Sequence, residues 1–116
     1  MSTVSFGSNA QTFAPVSLRN KIRSFYTGTL QCELVKTYES VDVIRFADDF
    51  YLGISFTQES LTDDQFLRAT WLEIKTDEPS ALKEKVLEFG VKEIEYWDKE
   101  HFYFQAPGGQ VYRISG

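Results

Sequence analysis

The side chains with chemical potential in this chain cluster toward its C-terminal half: Trp71 and Glu73 in ATWLEIK, His101 at the head of HFYFQ, and Arg113 in QVYRI. Glu73 could serve as a general base if burial raised its pKa. No Ser–His, Cys–His or paired-carboxylate arrangement accompanies it. Arg113 carries a planar fork of donors that suits bidentate acceptors, so it could orient an anionic or carbonyl-bearing ligand. Tyr51, Trp97 and Tyr103 are candidates for aromatic walls around that ligand. His101, the sole histidine, reads as solvent-facing, and Cys32, the sole cysteine, as a small buried hydrophobe.

These residues need strands and helices to place them. Leu72 and Ile74 alternate with Trp71, Glu73 and Lys75, so a strand here turns its apolar side to a helix and the other three residues to the opposite face. By the same alternation Tyr112 and Ile114 face the helix, and Val111 and Arg113 face away. The helix is predicted from about Pro79 to Phe89, with Pro79 in its first turn, Asp77 and Glu78 at its positive end and Gly90 just past its last turn. Leu82, Val86, Leu87 and Phe89 form its buried stripe. VKEIEYW, HFYFQ and QVYRI follow as strands, the last two joined by a Pro-Gly turn across Ala106 to Gly109.

The first half repeats this order. Residues from about Ser8 to Val16 read as a strand ended by Pro15, and Leu18, Ile22, Phe25, Tyr26 and Leu30 as the buried stripe of a helix of about fourteen residues capped by Ser17. CELVKTY, VDVIRF and FYLGISF are three strands, the last two linked at Asp48 and Asp49. Thr57 to Arg68 is polar and without a clean period, a linker tethered by Phe66 and Leu67. The chain is thus an α+β fold of two tandem βαβββ modules, about 8–56 and 69–116, in one domain covering 1–116, with a repeat of about 59 residues.

A length of 116 residues suffices for one core without staples. An aromatic content of 16% fits either an aromatic-rich core or aromatic side chains lining a cavity. The net charge of −5 and the absence of any compact Lys/Arg run argue against nucleic acid or an anionic membrane as the main partner. A single cysteine, no leader-like N-terminus and no membrane-length apolar run lead to a soluble, cytoplasmic protein as the expectation.

FYTGTLQCELV at Phe25 to Val35, ALKEKVLEFGV and FQAPGGQVYRI, in this order and spacing, resemble the vicinal oxygen chelate superfamily of glyoxalase, bleomycin-resistance and extradiol dioxygenase proteins. Gln31 stands where the family usually has a glycine ending the helix, and Ala106 replaces a common acidic residue. The resemblance implies two half-barrels forming a concave cup with the helices outside, and commonly a homodimer. In the family's metal enzymes the first and last strands of each module supply His, Glu or Gln ligands, because a divalent ion needs several converging donors. The best-matching positions here are Gln11, Gly53, Trp71 and Arg113, and of these only Gln11 is a donor. Residues 1 to 16, Phe50 to Gln58 and Gln110 to Gly116 contain no His, Asp, Glu or Cys, so no metal and no cofactor is expected. If the outer strands of the second module are neighbours, as the resemblance implies, Glu73 lies beside Arg113 where the metal would be. That pair is open to two readings, a ligand-orienting site or a structural ion pair.

The expectation is a metal-independent small-molecule binding protein with Gln11, Tyr51, Trp71, Glu73, Trp97, Tyr103 and Arg113 around the ligand, and no assigned catalytic residue beyond Glu73 as a weak candidate. The alternatives are a metal-dependent lyase, isomerase or dioxygenase with an atypical site, and an interaction or regulatory subunit with a filled cup.

Overall fold

The computed structural model describes residues 2–116. Module one runs β1 (Asn9–Pro15), a helical segment, β2 (Glu33–Thr37), β3 (Val41–Arg45) and β4 (Tyr51–Thr57). Module two runs β5 (Trp71–Lys75), α3 (Pro79–Phe89), β6 (Glu93–Ile94), β7 (Phe102–Gln105) and β8 (Val111–Ser115). Each module folds its strands into one four-stranded sheet, ordered β1-β4-β3-β2 and β5-β8-β7-β6, with the first and last strands parallel neighbours. The protein is therefore α+β and built of two βαβββ units. No ladder joins the two sheets among the described residues, so one chain holds two separate sheets rather than a continuous one.

The alternation in β4 places Leu52, Ile54 and Phe56 in the core and leaves Tyr51, Gly53 and Ser55 half-buried on the other face. Module two repeats this with Tyr112 and Ile114 in the core. Its α3 has the bounds that its start and stop residues specify, with Gly90 at φ +107 closing it in the left-handed region. Val86 is its fully buried residue, while Leu87 is exposed, one position off the expected stripe.

The first helix departs from the simple pattern. It opens as a 3-10 turn (Val16–Leu18), continues as α1 (Arg19–Ser24) and ends as a π turn (Phe25–Thr29). Ser17 is not its cap, because the preceding residue is Pro15, extended and without a side-chain bond. The wide last turn is closed by the Leu30 N–H donating to the Phe25 carbonyl, and the hydroxyl of Thr27 donates to the Arg23 carbonyl at 2.7 Å. It brings the consecutive residues Phe25 and Tyr26 into the core together. Gln31 then takes φ +58, the left-handed turn for which a glycine would be the unstrained choice.

Those two aromatics join the modules. The Phe25 ring meets Phe89 of α3 edge-on at 5.1 Å and Phe104 of β7 at 5.8 Å. The hydroxyls of Tyr26 and Tyr112, both fully buried, bond each other at 2.8 Å. With each hydroxyl satisfying the other, Tyr112→Phe strands that of Tyr26 and is expected to cost about 1–2 kcal/mol in a urea melt. A loss below the error of the melt would show that water replaces the partner.

Two further segments differ from expectation. The polar linker contains a short helix, α2 (Asp63–Leu67), started by a capping box in which the Thr62 hydroxyl accepts from the Gln65 N–H and the Gln65 side chain accepts from the Thr62 N–H. Phe66 is the buried tether. VKEIEYW supplies only the two-residue β6; Glu95 to His101 is irregular because Tyr96 turns onto the Tyr103 ring at 4.8 Å and Asp98 caps a tight turn by accepting from the Glu100 N–H. Cys32 is buried and, as expected, has no thiolate character: burial pushes its thiol up to about 12. No helix among the described residues is long and apolar enough to cross a membrane.

Candidate functional site

The parallel pairing of β5 with β8 sets Glu73 opposite Arg113 and Trp71 opposite Val111. With both side chains on the face turned from α3, the Arg113 Nη2 donates to Glu73 Oε2 at 2.5 Å. Ser115, two residues on and so on the same face, donates its hydroxyl to the same oxygen at 2.8 Å. The guanidinium carbon of Arg113 lies 4.5 Å from the centroid of the Trp71 ring, and Tyr103 packs edge-on to Trp71 at 5.6 Å. Trp71, Glu73, Tyr103 and Arg113 therefore converge.

The irregular segment adds Asp98 and His101. Asp98 Oδ2 accepts from the Tyr103 hydroxyl at 2.9 Å and from His101 Nδ1 at 2.8 Å, and lies 4.0 Å from Arg113 Nη1. The carboxylate carries no proton to give, so the imidazole donates from Nδ1. His101 is thus tied into the group rather than simply solvent-facing. The Glu100 N–H, then the Tyr103 hydroxyl and His101, hold the Asp98 carboxyl down at about 2 against the effect of desolvation. Glu73 is also held below the ordinary range, first by the bond from Arg113 and then by that from Ser115. This is the opposite of the raised pKa that a general base at this position would need.

Ser115 was within reach of strand parity, the alternation that pairs Val111 with Arg113. Asp98 was not, because it lies outside any strand and its role depends on a turn. Val111, although on the face of Arg113, is fully buried. Trp97, expected as a wall, is 92% exposed; its neighbours Tyr96 and Asp98 turn inward on either side of it.

Gln11 and Tyr51 remain in module one. Gln11 is exposed, and its amide donates to the Ser55 hydroxyl at 2.5 Å, lying over Gly53, where an added β-carbon would come 2.5 Å from its Oε1. Gln11 is the register partner of Gly53, as Glu73 is of Arg113, and each reaches the serine two residues past that partner. The equivalent of Gln11 is therefore Glu73, not Trp71. No hydrogen bond, ion pair or aromatic contact joins Gln11 or Tyr51 to the Arg113 group among the described residues.

No protein-family model and no curated protein matches the sequence. Solved structures do match the fold along nearly the whole chain. A structure described as a possible glyoxalase from Bacillus cereus aligns with a TM-score of 0.74 at 16% identity, covering 94% of this chain and 96% of that one. The chain has the glyoxalase-like fold. The fosfomycin resistance protein FosX from Listeria monocytogenes aligns with a TM-score of 0.77 at 12% identity, covering 97% of this chain and 91% of that one. A second FosX structure, with Mn(II) and sulfate, aligns at 0.75 and 12%, covering 98% and 91%.

The residues of this glyoxalase-like chain do not fit such a metal. The guanidinium of Arg113 occupies one of the register positions in question and already takes up Glu73, and no three His, Cys, Asp or Glu side chains among the described residues are placed to hold an ion. What the group can do instead is present an aromatic surface with a fixed cation behind it.

Proposed function

We propose that this protein is a metal-independent small-molecule binding module of the glyoxalase and bleomycin-resistance type, acting as a homodimer in the cytoplasm. The observation that carries this reading is the stack of Arg113 on Trp71 on the face of module two turned from α3, with Trp71 still 39% exposed. An aromatic ligand with a carbonyl or anionic oxygen suits it: its ring packs against the open part of Trp71, and its oxygen takes a guanidinium donor. Glu73, Ser115 and Asp98 hold that guanidinium in place, so little ordering is left to the binding step.

The homodimer is supported by the layout of the chain. Its modules meet through Phe25, Tyr26, Phe89, Phe104 and Tyr112, all on the core side of their sheets or helices, which leaves the opposite faces of both modules free for a second copy. Module one of one copy would then bring Gln11 and Tyr51 over Trp71 and Arg113 of the other. Light scattering should report twice the 13.4 kDa chain mass.

The binding test uses the anionic aromatic probe 8-anilinonaphthalene-1-sulfonate in a Trp97→Phe background, so that Trp71 is the sole indole. Arg113→Met, with an unchanged fold by circular dichroism, should weaken the probe about tenfold or more, the usual value of a charge-assisted hydrogen bond. Equal affinity in the two proteins, or stoichiometric metal in untagged protein as purified, would overturn the reading.

A further inference from the structure

We propose that the Arg113 guanidinium is a built-in cation filling a cradle that would otherwise accept a divalent metal, so that one substitution at this position admits the ion. The guanidinium stands among acidic side chains. Two carboxylates flank it, Glu73 with Oε2 at 2.5 Å from Nη2 and Asp98 with Oδ2 at 4.0 Å from Nη1. Each acid has a further partner besides the guanidinium. Glu73 is steadied by the Ser115 hydroxyl at 2.8 Å, and Asp98, its side chain 13% exposed, is fixed through both oxygens by the Glu100 N–H, the Tyr103 hydroxyl and His101. The two carboxylates are thus held by side chains of β7 and β8, by His101 and by the turn before β7, not by the guanidinium alone.

Removing the guanidinium leaves two ionised carboxylates facing one site without the cation between them. Arg113 reaches both acids from the face of β8 that it shares with Ser115, so an imidazole or carboxylate introduced at this position starts from the same face as Glu73. Three such donors are what a divalent ion requires to offset its lost hydration, with water completing the shell. Glu73, with a side chain 37% exposed, has the freedom to close the remaining distance. Module one carries the same strand-to-serine contact with a neutral amide, Gln11, and no charge at Gly53, so the cation belongs to module two alone.

In the protein as it stands, the site keeps a permanent positive charge that no chelator removes, which places this inference on the same residues as the ligand-binding reading. Its test needs no ligand. Untagged wild type, Arg113→His and Arg113→His/Glu73→Gln are titrated with Co²⁺ and Zn²⁺, following heat and the visible d–d absorption of cobalt. Wild type should show no saturable site. Arg113→His should bind one ion per chain, tighter than any wild-type binding by about tenfold or more, with a cobalt band that the added Glu73→Gln removes. Arg113→Glu, titrated with Mn²⁺, serves as the second variant if the first unfolds. A stoichiometric site in the wild type, a folded variant that binds nothing, or a cobalt band indifferent to Glu73→Gln would each overturn the proposal. Equal probe affinity in wild type and Arg113→Met would sink the ligand reading and leave these outcomes unchanged, so the two can fail separately.

Discussion

Asp42→Asn is expected to lower the stability of the protein by roughly 3 kcal/mol, the cost of breaking a buried charge network from one side. Asp42 lies on β3 with no exposed surface and faces the first helix. Its Oδ1 accepts from Arg19 Nη2 at 2.8 Å, Arg23 Nη2 at 2.9 Å and the Thr37 hydroxyl at 2.7 Å, and its Oδ2 accepts from Arg23 Nε at 2.6 Å. Asparagine has nearly the same shape but directs an N–H₂ at a guanidinium and removes the carboxylate charge that balances two arginines there. Arg19 keeps its bonds to the carbonyls of Tyr38 and Glu39 and its place over the Phe56 ring, which limits the loss.

The same residue sets an acid limb. Burial raises the Asp42 carboxyl, but the bonds from Arg23, Arg19 and Thr37 outweigh it and hold it at about 2, against 3.8 in an unfolded chain. A depressed folded-state pKa means the unfolded chain takes up the proton first. The contribution is therefore complete above about pH 4 and is lost as pH falls toward 2, an amount on the order of 2 kcal/mol. Urea melts from pH 6 to pH 2 should show this limb in the wild type and its flattening in Asp42→Asn. A variant within 1 kcal/mol of wild type, with the same acid limb, would mean that water or another acid compensates.

The second large effect is expected at Gly109→Ala, about 3–5 kcal/mol destabilising. Gly109 sits at φ +121 in the turn between β7 and β8, with its N–H donating to the Ala106 carbonyl at 2.9 Å. A β-carbon there would meet the backbone penalty of positive φ and also overlap the Phe66 ring, with Cε2 at 2.7 Å. The turn cannot move away freely, because the Gln105 amide bonds both the Gly109 carbonyl at 2.9 Å and the Asp63 carbonyl at 2.8 Å. Phe66 must leave its site instead, and α2 loses its anchor. The clash and the backbone strain separate in a double-mutant cycle: in a Phe66→Ala background, Gly109→Ala should cost only the strain, about 1 kcal/mol. Equal cost in both backgrounds would show that the aromatic ring is not the obstacle.

Much of the fold was legible because its signals are local. Alternation in FYLGISF and QVYRI identifies the core faces, Pro79 and Gly90 bracket α3, and Pro107 with its two glycines marks the last hairpin. The π turn at Phe25–Thr29 was not legible, because one carbonyl's choice of partner leaves no periodic trace. The capping box at Thr62 and Gln65 was written in the chain, but the five-residue helix behind it is too short to show a period. The Arg19–Arg23–Asp42 network was also hidden: the arginines look like a solvated helix face until β3 is laid against it.

Of the site, the sequence by itself determined through parity that Trp71 and Glu73 share one face of their strand and that Arg113 lies on the side of its own strand turned from the helix; that the two strands are neighbours was implied by the resemblance and is seen in the pairing of β5 with β8. It also determined that the outer strands lack enough donors for a metal. Tertiary structure decided the rest. It moved Trp97 out to solvent and Asp98 and His101 in, because a turn between strands has no parity and its side chains follow the hydrogen bonds available where the chain lands. It kept Gln11 and Tyr51 apart from Arg113, because the rings of Phe25 and Tyr26 bury themselves against module two from the helix side, an outcome set by packing between distant segments rather than by any local run of residues.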